Sequence, residues 1–128
     1  LDLFWRSGIK AGRVRRALGA GPQGLLQDQV AFGEAFLAAG QIDRALALAD
    51  GIETDLADLN SGAFYDRPAR GELPEGLDQI LVPALNAKAV RFYRNLCGAL
   101  GESHPDYRRF QRRVSQAQAW LSRRPRGY

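Results

Sequence analysis

The sequence predicts an all-α protein, a four- to five-helix bundle or short helical-repeat-like domain. Apolar residues recur every three or four positions over most of the chain, the spacing that puts side chains on one face of a helix. The runs stop at Gly40 and Gly101, and a strong helix-start signal stands at Ser103-His104-Pro105-Asp106. At 128 residues and 45% hydrophobic, residues 1–128 suffice for a single helical domain with a real core. No apolar run approaches the roughly 18 residues a membrane span requires, so a soluble chain is expected. The chain begins at Leu1 and contains no Met, the pattern of a polypeptide trimmed from a longer one, and a missing signal peptide carries no weight. A single cysteine, Cys97, cannot close an internal disulfide, which points to a reducing, cytoplasmic setting.

From Leu1 to Leu18, the apolar groups Leu3, Phe4, Trp5, Ile9, Val14 and Leu18 predict a short or broken helix. Gly8 and Gly12 break it, since each weakens a helix by about 1 kcal/mol relative to Ala. Gly19-Ala20-Gly21-Pro22-Gln23-Gly24 has the spacing GxGxxG, which in a dinucleotide-binding unit follows a strand and lets backbone approach a pyrophosphate. The preceding Arg13-Val14-Arg15-Arg16-Ala17-Leu18 reads as helical, so an interhelical turn is expected instead.

Residues 25–59 read as two amphipathic helices folded back at Gly40. Leu26, Val30, Phe32, Phe36 and Leu37 form the first stripe; Ile42, Ala45, Leu46, Ala49, Ile52, Leu56 and Leu59 form the second. Gly33 is a small residue suited to a close helix crossing, Phe36 an aromatic one turn later, and Gly40 a helix end. Ile42 and Ala45 then supply an apolar and a small position after the turn. This hairpin resembles a tetratricopeptide repeat, a helix-turn-helix unit of about 34 residues. The pattern departs at Ala49, Ile52 and Ala57, and no second copy follows in register. The resemblance implies a protein-binding groove around Gln29 and Phe36.

Residues 60–76 form a long loop rich in turn formers, and connections of that length are often functional. Its Phe64 and Tyr65, followed by Arg67 and Arg70, suit either a ligand-contacting Ω-loop or a flap that covers the end of the hairpin. Helical spacing returns over 77–101 with Leu81 or Val82, Leu85, Ala89, Phe92, Leu96 and Leu100, provided Pro83 falls in the first turn. The last helix, over 104–123, begins with Ser103 as cap, Pro105 in the first turn and Asp106 completing a capping-box-like pair. It carries Tyr107, Phe110, Val114, Ala117 and Leu121 on one side. Arg108, Arg109, Arg112, Arg113 and Arg123 are expected on the opposite side, as a cationic outer face. The tail from Arg123 to Tyr128 is expected to fray.

The net charge of +4 conceals a segregated distribution. Residues 1–24 hold five basic groups against Asp2, residues 25–87 hold three against eleven acids, and residues 88–128 hold ten against Glu102 and Asp106, for net charges of +4, −8 and +8. Either the basic ends fold across the acidic centre and neutralise it, or the faces address different partners and steer their association.

The raw material for catalysis is thin. Cys97, His104 and Asp106 can be written as a thiol, imidazole and carboxylate, but Cys97 lies in an apolar helix that favours an inert buried thiol. Asp50, Glu53, Asp55 and Asp58 read as a solvated acidic face without an ion-binding loop. No catalytic residue, metal ligand or cofactor is therefore assigned. The expected function is a non-catalytic helical protein-interaction module, an adaptor, assembly subunit or chaperone-like piece. Candidate partner-binding residues are Gln29, Phe36, Phe64, Tyr65, Arg67, Arg109, Arg112 and Arg113. Nucleic-acid or polyanion binding through the Arg-rich ends is the alternative, and a small helical enzyme the third reading.

Overall fold

Four helices dominate the structure, a computed structural model that describes residues 9–10, 13–17, 20–69 and 79–123. They are α1 (Leu26–Ala38), α2 (Ile42–Asp55), α3 (Pro83–Leu100) and α4 (Tyr107–Arg123). The all-α helical bundle predicted from periodicity is what the chain forms. No described helix is long and apolar enough to cross a membrane. The expectations placed on Leu3 to Trp5, on residues 70–76 and on Arg124 to Tyr128 lie outside the described residues.

Among the described residues before the hairpin, strands stand where the helix was expected; the parts of that expectation on residues 1–8, 11–12 and 18 lie outside the described residues. Three short strands, β1 (Ile9–Lys10), β2 (Arg13–Ala17) and β3 (Ala20–Gln23), pair in order as an antiparallel meander. The GxGxxG run is thus no interhelical turn, and a strand does precede it; Ala20 to Gln23 are themselves paired with β2 instead of forming a free loop at a helix N-terminus. Strand formation here is a tertiary effect. The Val14 N–H donates to Gln29 Oε1 at 2.6 Å, the Val14 carbonyl accepts from Gly24 N–H at 2.9 Å, and the Val14 side chain is buried.

The hairpin turn is built by hydrogen bonds at the end of α1. Gly40 has φ of 75°, its N–H donates to the Leu37 carbonyl, and the Gln41 N–H donates to the Phe36 carbonyl. This is the Schellman pattern, and it needs a residue without Cβ in the left-handed region. Pro83 occupies the first turn of α3, where its missing N–H costs nothing, and Gly101 caps the C-terminus, both as the sequence predicts. The start of α4 differs. The helix begins at Tyr107, and the Asp106 N–H is capped by His104 Nδ1 at 3.1 Å instead of by the Ser103 hydroxyl.

One hydrophobic cluster joins Val14 of β2, Phe64 of the loop and residues from all four helices. Tyr93 sits at its centre, fully buried, with the rings of Phe110, Phe64 and Phe92 at 5.1, 5.3 and 5.8 Å in tilted or edge-on geometry. Gly33 provides a close crossing, but its neighbour is Phe92 of α3 and not the second helix of the hairpin: a Cβ there would lie 2.4 Å from the Phe92 ring. Leu59 departs from the predicted stripe. The helix ends at Asp55, and Asp58 turns the chain by accepting from Asn60 N–H and the Ser61 hydroxyl, leaving Leu59 84% exposed.

Residues 57–69 fold back on the helices. Phe64 bridges to Ala57, and both its backbone groups are satisfied by buried Asn86, whose Oδ1 accepts the Phe64 N–H at 2.7 Å and whose Nδ2 donates to the Phe64 carbonyl at 3.0 Å. Asp66 then closes a neck with Ile80 through two hydrogen bonds of 2.9 Å, and Gln79 Nε2 donates to the Arg67 carbonyl.

Candidate functional site: an arginine cleft beside Leu59

The acidic helix α2 collects cations from both ends of the chain. Arg13 of β2 donates from Nε and Nη2 to the two carboxylate oxygens of Asp55 at 2.8 and 3.2 Å, the bidentate geometry that fixes orientation as well as charge. Arg109 of α4 binds Asp50 and, at 2.9 Å, Asp106, and its guanidinium lies 4.2 Å above the Phe110 ring. Arg113 reaches Glu53 Oε2 at 3.2 Å with both side chains nearly enclosed. The same oxygen accepts the Tyr93 hydroxyl at 2.9 Å. Burial, first, and the neighbouring Glu53 carboxylate, second, push the Tyr93 phenol well above its ordinary pKa, while Arg113 and Arg109 oppose that shift.

The outer-face expectation for α4 therefore holds only in part. Arg108, Arg112 and Arg123 are exposed, but Arg109 and Arg113 lie on the flank that meets α2. Helical geometry explains it: at about 100° per residue, Arg113 stands only about 60° from Phe110.

Of the other expected partner-binding residues, three are interior. Gln29 is fully buried, accepting from Val14 N–H and donating from Nε2 to the Leu48 carbonyl at 3.1 Å. Phe36 and Phe64 are fully buried in the core. None of the three offers its side chain to a partner, because each completes the packing or hydrogen bonding of the fold itself. Tyr65 is half-buried, its N–H donating to the Leu56 carbonyl and its hydroxyl helping Ser61 hold the Asp58 carboxyl below the usual range. Arg67 is built into the neck, with Nε 3.2 Å from Asp66 Oδ2. Cys97 is buried and its thiol faces the Tyr107 carbonyl at 3.8 Å; burial raises its pKa, and His104 is engaged with the Asp106 backbone.

What the structure does bring together is Arg109, Arg112 and Arg113 of the predicted set, in a cleft lined also by Glu53, Gln116 and Leu59. Its wall is the Asp58–Phe64 turn, seated so tightly on α4 that a Cβ on Gly62 would lie 2.7 Å from Gln116 Cβ. Arg109 and Arg113 spend their charge on α2. Arg112 makes no ion pair or hydrogen bond with any described residue and stays exposed. Leu59 was missed as a surface group because its spacing continues the hairpin stripe; the Asp-Leu-Asn-Ser-Gly turn signal at 58–62 was the cue that the helix had ended. The groove between α1 and α3 offers less, since its Arg91 is paired with Glu34 at 3.4 Å.

Comparison with protein families, with characterised proteins and with solved structures found no match to this chain.

Proposed function

We propose that the chain is a non-catalytic helical protein-interaction module, an adaptor or assembly subunit that docks a partner at the cleft between the Asp58–Phe64 turn and α4. Leu59 carries this reading: a leucine 84% exposed, held on an ordered turn beside a guanidinium that no described residue pairs. A large apolar side chain fixed in water next to a charge is the composition of an interface anchor with its polar rim. The tetratricopeptide-like hairpin serves in this reading as scaffold. Its acidic helix is occupied by the chain's own arginines, and the partner meets what they leave uncovered.

A photo-crosslinking amino acid placed at position 59 tests it. In an extract of the source cells, a discrete adduct with one protein is expected from position 59 and none from Asp43, which is exposed at the hairpin turn outside the cleft. Equal labelling from both positions, or none from position 59, contradicts the proposal.

A polyanion-binding reading draws on a different observation. Over residues 83–123 the exposed charged groups are Lys88, Arg91, Arg94, Arg108, Arg112 and Arg123 against Glu102. If that surface contacts several phosphates, binding to heparin or single-stranded DNA falls steeply between about 50 and 200 mM salt.

A further inference from the structure

From the cleft we infer the chemistry of its ligand: an acidic peptide segment of a partner protein, with one carboxylate on Arg112 and a neighbouring apolar side chain on Leu59. The inference rests on the interaction-module reading and narrows it.

Three observations converge. On one helix, Arg109, Arg112 and Arg113 share the cleft, and the first and third are already satisfied by carboxylates: Asp50 and Asp106 for one, Glu53 for the other. Arg112 is the guanidinium of this set for which the described residues supply no carboxylate. Its planar fork donates bidentately to a carboxylate, and such charge-assisted pairs are among the stronger hydrogen bonds available at a surface. Leu59 adds an apolar demand that a bare anion does not meet.

A nucleic acid is disfavoured at this cleft. The aromatics of α4 that would stack bases are turned inward: Phe110 is fully buried, Trp120 is 8% exposed and Tyr107 packs against the core.

Fluorescence polarisation tests the inference with a short fluorescein-labelled peptide of Glu and Leu residues. Two altered peptides, one with Gln for Glu and one with Ser for Leu, and a labelled single-stranded oligodeoxynucleotide serve as comparisons. Because Arg112 and Leu59 are exposed, Arg112→Gln and Leu59→Ala leave the fold intact, which circular dichroism verifies. Arg112→Gln is expected to weaken the Glu-Leu peptide about tenfold, on the scale of one charge-assisted hydrogen bond. Leu59→Ala is expected to weaken it severalfold, and Arg94→Gln, exposed on α3 outside the cleft, to leave it unchanged. Equal losses from Arg94→Gln and Arg112→Gln overturn the inference. So does indifference to either peptide alteration, or tighter binding of the oligonucleotide than of the peptide. Failure of the peptide with a specific adduct still formed from position 59 overturns the ligand class and leaves the module reading standing; failure of both removes both.

Discussion

Arg113 of α4 and Glu53 of α2 meet at 3.2 Å with side chains only 13% and 17% exposed, and the buried Tyr93 hydroxyl shares the same carboxylate oxygen. This contact ties the C-terminal helix pair to the acidic hairpin. It also turns the segregated charge of the sequence into an internal fit, because Arg109 on Asp50 and Arg13 on Asp55 repeat the arrangement from both ends of the chain. An ion pair enclosed to this degree is costly to break on one side, since the remaining charge loses its partner away from water.

Tyr93 makes the network pH-sensitive on the alkaline side. Its folded pKa lies above the ordinary value of 10.0, so its contribution to stability is complete below that pH and is lost as pH rises through the folded value. The phenolate absorbance of the wild-type chain minus that of Tyr93→Phe is expected to rise only with unfolding. At neutral pH, Tyr93→Phe is expected to cost about 1 to 2 kcal/mol in urea denaturation, one buried hydrogen bond to a charged acceptor.

Gly33→Ala sets helix propensity against packing. Alanine gains about 1 kcal/mol of propensity within α1, but its Cβ would lie 2.4, 2.7 and 2.9 Å from atoms of the Phe92 ring. A ring enclosed in the core has little room to move, and overpacking of this kind costs about 1 to 3 kcal/mol or more. Net destabilisation is expected, read as a lower thermal midpoint; an increase would mean that Phe92 yields freely.

The buried amides are structural. Asn86→Ala leaves both backbone groups of buried Phe64 without their partner, whereas Gln29→Ala strands the Val14 N–H and takes a second hydrogen bond from the Leu48 carbonyl, which keeps its helical one. Asn86→Ala is expected to lower unfolding free energy by about 2 to 4 kcal/mol, as two unsatisfied buried groups should, and Gln29→Ala by about 1 to 3 kcal/mol. Gln29→Ala is expected in addition to raise hydrogen exchange of the Val14 amide, which Asn86→Ala leaves protected.

Leu59→Ala removes a side chain that buries almost nothing in the chain itself. Its unfolding free energy is expected to stay within about 0.5 kcal/mol of the wild type, so a loss of partner capture by this variant reports on contact.

The helices were legible because amphipathic periodicity and glycine stops are local signals, and α1 to α4 follow them with ends shifted by a few residues. The meander was not, since Val14 adopts a strand only because Gln29 and Gly24 meet its backbone groups from elsewhere in the chain. Gln29 and Asn86 were readable in part. Gln29 falls one turn from Leu26 and Gly33, and Asn86 one turn from Val82 and Ala89, positions facing the core. A polar side chain there signals a buried hydrogen bond more than a binding surface. Which α4 arginines meet an acid among the described residues was legible only to the extent that angular distance from Phe110 separates Arg113 from Arg112; which acid each meets depends on how α3 sets α2 and α4 side by side.

A double-mutant cycle on Glu53→Gln and Arg113→Gln, measured by urea unfolding at neutral pH, tests the internal charge fit most directly. Each single variant is expected to be destabilised by about 2 to 4 kcal/mol, and the double variant by less than their sum, with a coupling of about 1 to 3 kcal/mol. Additive effects within about 0.3 kcal/mol would show that α4 does not dock on the acidic helix through this pair, and would contradict the account.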